Sequence, residues 1–332
     1  MAMMIKLARF ASAFLARFLV AFCMLIGTPV ALAQAFPSRP LHLVVPFPPG
    51  AGTDAFARVI AVKLSESLGQ PVVVDNKAGA GATVGTDFVA KAAPDGYTLL
   101  LSTASHGINP AVFAKLPYDT LRDFATVTQV ANLPIVLVVH PSVPANSLKE
   151  LVTLAKAKPG ALNMGSAGNG TVFHLAGELL KSVAGIDMVH VPFKGGGPAL
   201  QALIGGQVDV LFETTLTVQP QIKAGKVRAL AVGGALRSSV MPEVPTIAES
   251  GYPGFDAQNW YGVYAPAGTL PEIVARLNQE IVKVLHLPDV RERFAALGAD
   301  IVANTPAQHL AFLKAEMAKW DKIAKATNTK VD

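Results

Sequence analysis

Among 332 residues there is one cysteine, Cys23, and it falls inside an apolar run near the N-terminus. Lys6, Arg9 and Arg17 precede that run, which extends from Phe18 to Ile26. Pro29 breaks it, and Ala31-Leu32-Ala33 follows as a stretch of small residues. A charged start, a short apolar core and an A-x-A end together make a cleavable export signal. The run falls short of the roughly 20 apolar residues needed to span a bilayer, and no later stretch is long enough either. We expect a signal peptide over residues 1–33, cleaved before Gln34. Cleavage removes the sole cysteine, which excludes disulfides, thiolate catalysis and cysteine-bound metal in the remaining chain. No cysteine follows the cleavage point to carry a lipid.

Charge is also sparse, at 15% of residues. The signal segment carries three cations and no acid, so the formal charge of +5 falls to +2 after cleavage. This argues against a nucleic-acid partner, which requires a clustered basic face. Catalytic signatures are missing as well. The loop after the first strand lacks the Gly-Lys-Ser/Thr ending of a phosphate-binding loop and the G-x-G-x-x-G spacing of a dinucleotide site. Ser166 does not sit in G-x-S-x-G, because Met164 takes the first glycine position. There is no H-E-x-x-H, and the seven histidines show no pair at metal-ligand spacing. The expectation is therefore no catalytic residue, no metal and no cofactor.

What is present is alternation. Leu41 to Pro46 reads as a strand, Thr53 to Leu68 as an amphipathic helix and Val72 to Val74 as a strand. A helix ending near Ala92 follows the glycine loop Gly79-Ala80-Gly81. Pro94-Asp95-Gly96 is a turn by its chemistry, and Tyr97 to Leu101 is a third strand. After a long apolar stretch, Val127 to His140, the pattern resumes. Ser147 to Glu150 has the spacing of a capping box, and the helix it opens stops at Pro159-Gly160. Strand Leu162 to Gly165, helix Thr171 to Ala184, strand Met188 to Val191, helix Pro198 to Ile204 and strand Val208 to Phe212 follow. Repeated units of this kind predict an α/β fold with a parallel sheet covered by helices. The C-terminal third is helical, with starts at Thr269 to Glu272 and at Thr305 to Gln308. These helices have no new sheet of comparable size to cover, so they should return to the first domain. The expected division is one lobe from residues 34–131 and 257–332 and a second from 132–256, with crossings near Ala131 and Ala257.

Two loops stand out. Phe47-Pro48-Pro49-Gly50-Ala51-Gly52 leads from a strand into a helix opened by Thr53 and Asp54. Ser166-Ala167-Gly168-Asn169-Gly170-Thr171 does the same in the other lobe. Glycine lets backbone approach a ligand closely, and the free N–H groups at a helix start favour an anion. Either loop alone also reads as an ordinary turn with a capping side chain. Two of them, at the carboxyl ends of strands in opposing lobes, predict a pair of anion sites across a cleft. His106, after the third strand, is in a position to reach that cleft. Glu213, at the end of its strand, either accepts from a ligand amine or hydroxyl or caps the next turn. His174 reads as packing between helix and loop, and Trp260 as core.

These segments resemble the TctC-like, or Bug-type, solute-binding proteins of tripartite tricarboxylate transporters. The matching residues are Val44 to Asp54, Ala93 to Leu99, Ser166 to Thr171 with His174-Leu175, Val191 to Gly196, Gly205 to Asp209 and Ala265 to Thr269. The resemblance covers essentially the whole chain after the signal. It implies a two-lobed type II periplasmic-binding-protein fold with a ligand cleft between the lobes, and periplasmic location. The implied ligands are small organic acids: di- and tricarboxylates, acidic amino acids or aromatic acids. It assigns the grip on a carboxylate to Gly50 to Thr53, beside Phe47 and Pro49, and to Ser166 to Thr171. Lys194 and Gly195 fall on a further cleft-lining loop. The implied partners are the ligand and two integral-membrane transporter subunits, with a monomer as the default. Three departures bear on ligand choice. Ala51 replaces a common glycine, Val172-Phe173 stands where small polar residues are usual, and Glu213-Thr214 replaces a frequent aspartate-asparagine. Read as a charge, Glu213 would disfavour a second ligand carboxylate.

Two other classes fit parts of this pattern. A ligand-sensing subunit for a membrane kinase needs the same closure around ligand. A periplasmic hydrolase or lyase needs a nucleophile or an acid–base pair.

Overall fold

Strand β1 (Leu41–Val45) is buried almost throughout and is followed by helix α1 (Gly52–Leu68). α1 turns Phe56, Ala57, Ile60, Ala61 and Leu64 inward, the three- and four-residue spacing of one helical face. The structure is a computed structural model and describes residues 36–50 and 52–331. The expected signal segment, with Lys6, Arg9, Arg17, Cys23 and the cleavage point, lies outside the described residues, as does Ala51.

The chain continues through β2 (Val72–Asn76), α2 (Thr83–Ala90), β3 (Thr98–Thr103), α3 (Ser105–Val112) and the 16-residue β4 (Phe124–Val139). Then come α4 (Leu148–Ala157), β5 (Asn163–Ser166), α5 (Val172–Ala184), β6 (Val189–Pro192) and α6 (Gly196–Ile204). β7 (Val210–Thr214), α7 (Thr215–Lys223), β8 (Arg228–Val232) and β9 (Gln258–Pro266) follow. The last elements are α8 (Pro271–Leu285), α9 (Pro288–Ala296), β10 (Asp300–Ile301) and α10 (Pro306–Ala326).

The strands lie in the order β2-β1-β3-β9-β4-β7-β5-β6, with β8 and β10 also paired to β4. The expected all-parallel sheet is corrected to a mixed one. β1 pairs in parallel with β2 and β3, and β5 with β6 and β7. Between these parallel blocks, β4 and β9 run antiparallel to their neighbours. β4 serves both blocks. Its residues 124–134 pair with β9, and its residues 135–139 pair with β7 on one side and β8 on the other. The change of partners falls at Pro134, a residue with no N–H to give a ladder.

β9 was not anticipated. Its sequence, Gln258 to Pro266, holds a glycine, two tyrosines and a tryptophan with no strand alternation, because both of its faces are buried. Trp260 is core, as expected, and donates from Nε1 to Glu316 Oε2 at 2.9 Å. The C-terminal helices do return to the first block: α8 and α10 pack on β4, α8 on α1, and α10 on α3. The Thr305 capping box forms in full. At Ser147 only half of it does. Ser147 Oγ accepts from the Glu150 N–H, but Glu150 Oε2 accepts from the Asn146 N–H instead of that of Ser147.

Candidate functional site

The loop after β1 is held from beneath by Asp54, in the first turn of α1. Its Oδ2 accepts from the Gly50 N–H (3.0 Å) and from Arg58 Nε (2.9 Å), and its Oδ1 from Asn76 Nδ2 (3.0 Å). The same Asn76 amide donates to the Phe47 carbonyl (3.1 Å), closing the loop against the end of β2. Burial by itself would raise the Asp54 carboxyl. Arg58, the Gly50 N–H and Asn76 outweigh it and hold the group below the ordinary carboxylate range. Gly50 has φ +79, a left-handed conformation that favours glycine. Pro49, Gly50 and Gly52 are exposed above this anchor, while Thr53 is buried.

The loop after β5 is fastened differently. Gly168 (φ +129) and Gly170 (φ +73) make its turns. Thr171 caps α5, accepting from the His174 N–H, and donates back to the Gly168 carbonyl at 2.8 Å. His174 Nδ1 accepts from the Gly170 N–H (3.3 Å), and its ring stacks on His190 at 3.8 Å and 10°. His190 Nε2 stands 2.6 Å from Ser166 Oγ, which accepts from the Gly168 N–H. Burial lowers His174 to about 3 and His190 to about 4, so both imidazoles are neutral. A serine and an imidazole at this distance are the first two parts of a nucleophile site. Here Ser166 is fully buried, and His190 stacks on a second imidazole where an orienting carboxylate would be required.

The third loop joins the second. The Phe193 N–H donates to the Ser166 carbonyl and the Gly195 N–H to that of Ala167. Lys194, between them, is exposed. Gly195 (φ +108) is the N-cap of α6 and brings no side-chain acceptor. Glu213 lies beneath that helix start, 3% exposed. Its Oε1 accepts from the Thr214 N–H (2.8 Å) and hydroxyl (3.2 Å), whereas Oε2 is buried without a partner. A methyl at Gly196 would overlap Oε2, so any side chain there would require Glu213 to move.

Contacts involving Tyr261 and Gly81 lie beside these loops. Tyr261, on β9, hydrogen-bonds Thr53 and lies within electrostatic range of Glu213. A Cβ at Gly52 would stand 3.5 Å from the Tyr261 hydroxyl, and one at Gly81 would stand 3.8 Å from the Asn169 carbonyl. Two predicted features do not join this group. His106 is fully enclosed by Tyr118, Phe124 and Tyr264, with both ring nitrogens unpartnered, and burial lowers it to about 3. Its helix begins with the side chain turned into the core, so the expectation that it lines the cleft is corrected. Val172 and Phe173 also face the core, which explains apolar residues at those positions. Tyr261, Asp54 and Asn76 were missed as participants. Asp54 was visible as a cap, but its role as loop anchor depends on Asn76, 22 residues away. Among the described residues no group of three or more His, Cys, Asp or Glu could hold a metal ion.

Residues 56–329 match the family described as tripartite tricarboxylate transporter family receptor, TctC. The chain belongs to the TctC family. Among its relatives, Protein BugT of Bordetella pertussis is 42% identical over 308 residues, covering 92% of this chain and 94% of BugT. Three solved structures share the fold. Periplasmic binding protein BugD superposes with a TM-score of 0.81 at 35% identity, covering 89% of this chain and 99% of BugD. Rpa4515 of R. palustris with adipate gives 0.84 at 36%, covering 89% and 99%. MatC of Rhodopseudomonas palustris with bound malate gives 0.80 at 37%, covering 87% and 99%. The fold is thus the two-lobed α/β fold of periplasmic binding proteins, and this TctC-family chain belongs to a solute-binding family.

Proposed function

We propose that this protein is exported to the periplasm, binds a small organic carboxylate between its two lobes, and delivers it to the membrane subunits of a tripartite transporter. The observation that carries this reading is a pair of separately fastened glycine loops, each opening a helix at a carboxyl strand end. Each opens the positive end of a helix, which suits an anion. The anchors beneath them are electrically quiet: Asp54 is paired with Arg58, and His174 and His190 are neutral. Similarity to structures holding adipate and malate supports a carboxylate as ligand. The grip falls to Phe47, Pro49, Gly50, Gly52 and Thr53 on one side. On the other it falls to Ser166 to Thr171 with Lys194 and Gly195. Binding requires no catalytic residue, and the protein acts as a non-enzymatic monomer.

We infer that the lobes divide near Ala131 and Ala257, close to where β4 changes partners at Pro134/Ile135 and where β9 begins at Gln258. Ligand favours closure about these two crossings because it contacts both lobes only when they meet. The test is calorimetry and thermal unfolding of the chain from Gln34, stripped of ligand, against mono-, di- and tricarboxylates, acidic amino acids and aromatic acids. Ligand at about 100 times its Kd stabilises by roughly 2.7 kcal/mol. Folded protein that responds to no acid would refute the reading.

A further inference from the structure

Glu213 Oε2 is the unresolved element of the site. It is a buried carboxyl oxygen with no partner, set against the first turn of α6. That helix has no side-chain cap, and Pro198 supplies no N–H, so the early N–H groups of Gly196 and Gly197 are the donors there. We propose that Glu213 is the specificity-determining residue of this site, donating from Oε2 to the second carboxylate of a dicarboxylate ligand whose first carboxylate sits on the glycine loops. The proposal rests on the carboxylate-binding reading and adds the ligand class.

The assignment of donor and acceptor follows from the surroundings. Oε1 already accepts twice from Thr214, which leaves Oε2 as the oxygen to carry a proton. No formally charged side chain acts on the carboxyl, and the side chains nearest it are neutral. β4 faces it with Val136, α6 with Gly196, α7 with Thr217 and β9 with Tyr261, whose phenol burial keeps protonated. On α5, Lys181 acts on His174 and His190, and neither it nor they act on Glu213. With no cation to hold it ionised, burial raises Glu213 from 4.5 to about 7. A protonated Oε2 beside the N–H groups of a helix start forms a donor cluster, the complement of a carboxylate. A ligand ammonium would meet the positive end of α6 instead. The expectation that Glu213 repels a second carboxylate treats it as a fixed charge, whereas burial brings its titration up to about 7.

Binding of such a dianion must then take up a proton once pH exceeds about 7. Its affinity should fall by up to about tenfold per pH unit above that point. The test is calorimetry of succinate, malate, glutarate and adipate beside butyrate and hexanoate. Titrations run between about pH 6.5 and 8.5, in buffers of differing ionisation heat. Wild-type protein should prefer dicarboxylates and show proton uptake that grows with pH. Glu213→Gln, whose amide donates without titrating, should bind them with a flat pH profile. Monocarboxylate affinity should be flat in both proteins. Dicarboxylate binding that is flat or strengthens with pH, or no preference over monocarboxylates, would overturn the proposal while leaving the carboxylate reading intact. Failure of every acid to bind at any pH overturns both. The wild-type proton count decides the matter even if the variant does not fold.

Discussion

In the loop after β1 the fastening group is an ionised carboxylate. Asp54 gathers Gly50, Arg58 and Asn76, and its charge is compensated by a guanidinium that reaches solvent. In the loop after β5 the fastening groups are two stacked neutral imidazoles and a serine, with no formal charge. Neither arrangement places an uncompensated negative charge behind its loop. They differ in what disables them. The first fails when a carboxyl gains a proton. The second fails when an imidazole does, because a protonated Nδ1 can no longer accept from Gly170.

The largest effect is expected from Asp54→Ala. It strands the Gly50 N–H and frees the Phe47 end of the loop, costing about 2–3 kcal/mol of stability and well over tenfold in ligand affinity. Chemical denaturation and calorimetry measure the two. Intact affinity would show that the first loop does not need its anchor.

His174→Leu should follow, at about 1–3 kcal/mol, since it leaves the buried Gly170 N–H without an acceptor. The same measurements apply. A loss as large as that of Asp54→Ala would erase the distinction between the loops.

The pH dependence separates the loops further. His174 and His190 are lowered in the folded protein from an ordinary 6.5. Their contribution to stability is therefore complete above about pH 6.5 and is lost as pH falls toward 4 and then 3. Asp54 is lowered from 3.8, so its contribution is complete above about that pH and is lost only below it. Between about pH 6.5 and 4, hydrogen-exchange protection at Gly170 should drop while that at Gly50 holds. A parallel fall at both would mean that the loops open together.

The smallest effect is expected from Thr171→Ala, which removes an N-cap and one bond to Gly168, for about 1 kcal/mol by thermal unfolding. Gly170 itself is a poorer probe. Its left-handed φ and its approach to Val112 and Phe113 would mix strain with loss of binding.

The chain order of the βα units was legible because each buries its own stripe and ends at its own turn. β1, α1, β2, β3, β5 and α5 all lie within a few residues of their sequence reading. Other elements were not. α3 and α7 carry Pro110 and Pro220 inside them, and β8 and β9 are antiparallel strands outside the repeating βα pattern. Their stability comes from neighbours far along the chain, which no local pattern records.

By itself, the sequence determined which backbone segments can receive an anion, since glycine content, helix starts and strand ends are local properties. Only the tertiary structure decided what holds those loops, because Asn76, His190 and Tyr261 reach them from other elements. It alone decided the state of Glu213, because ionisation depends on how much water and which charges surround a carboxyl. Neither is written at position 213.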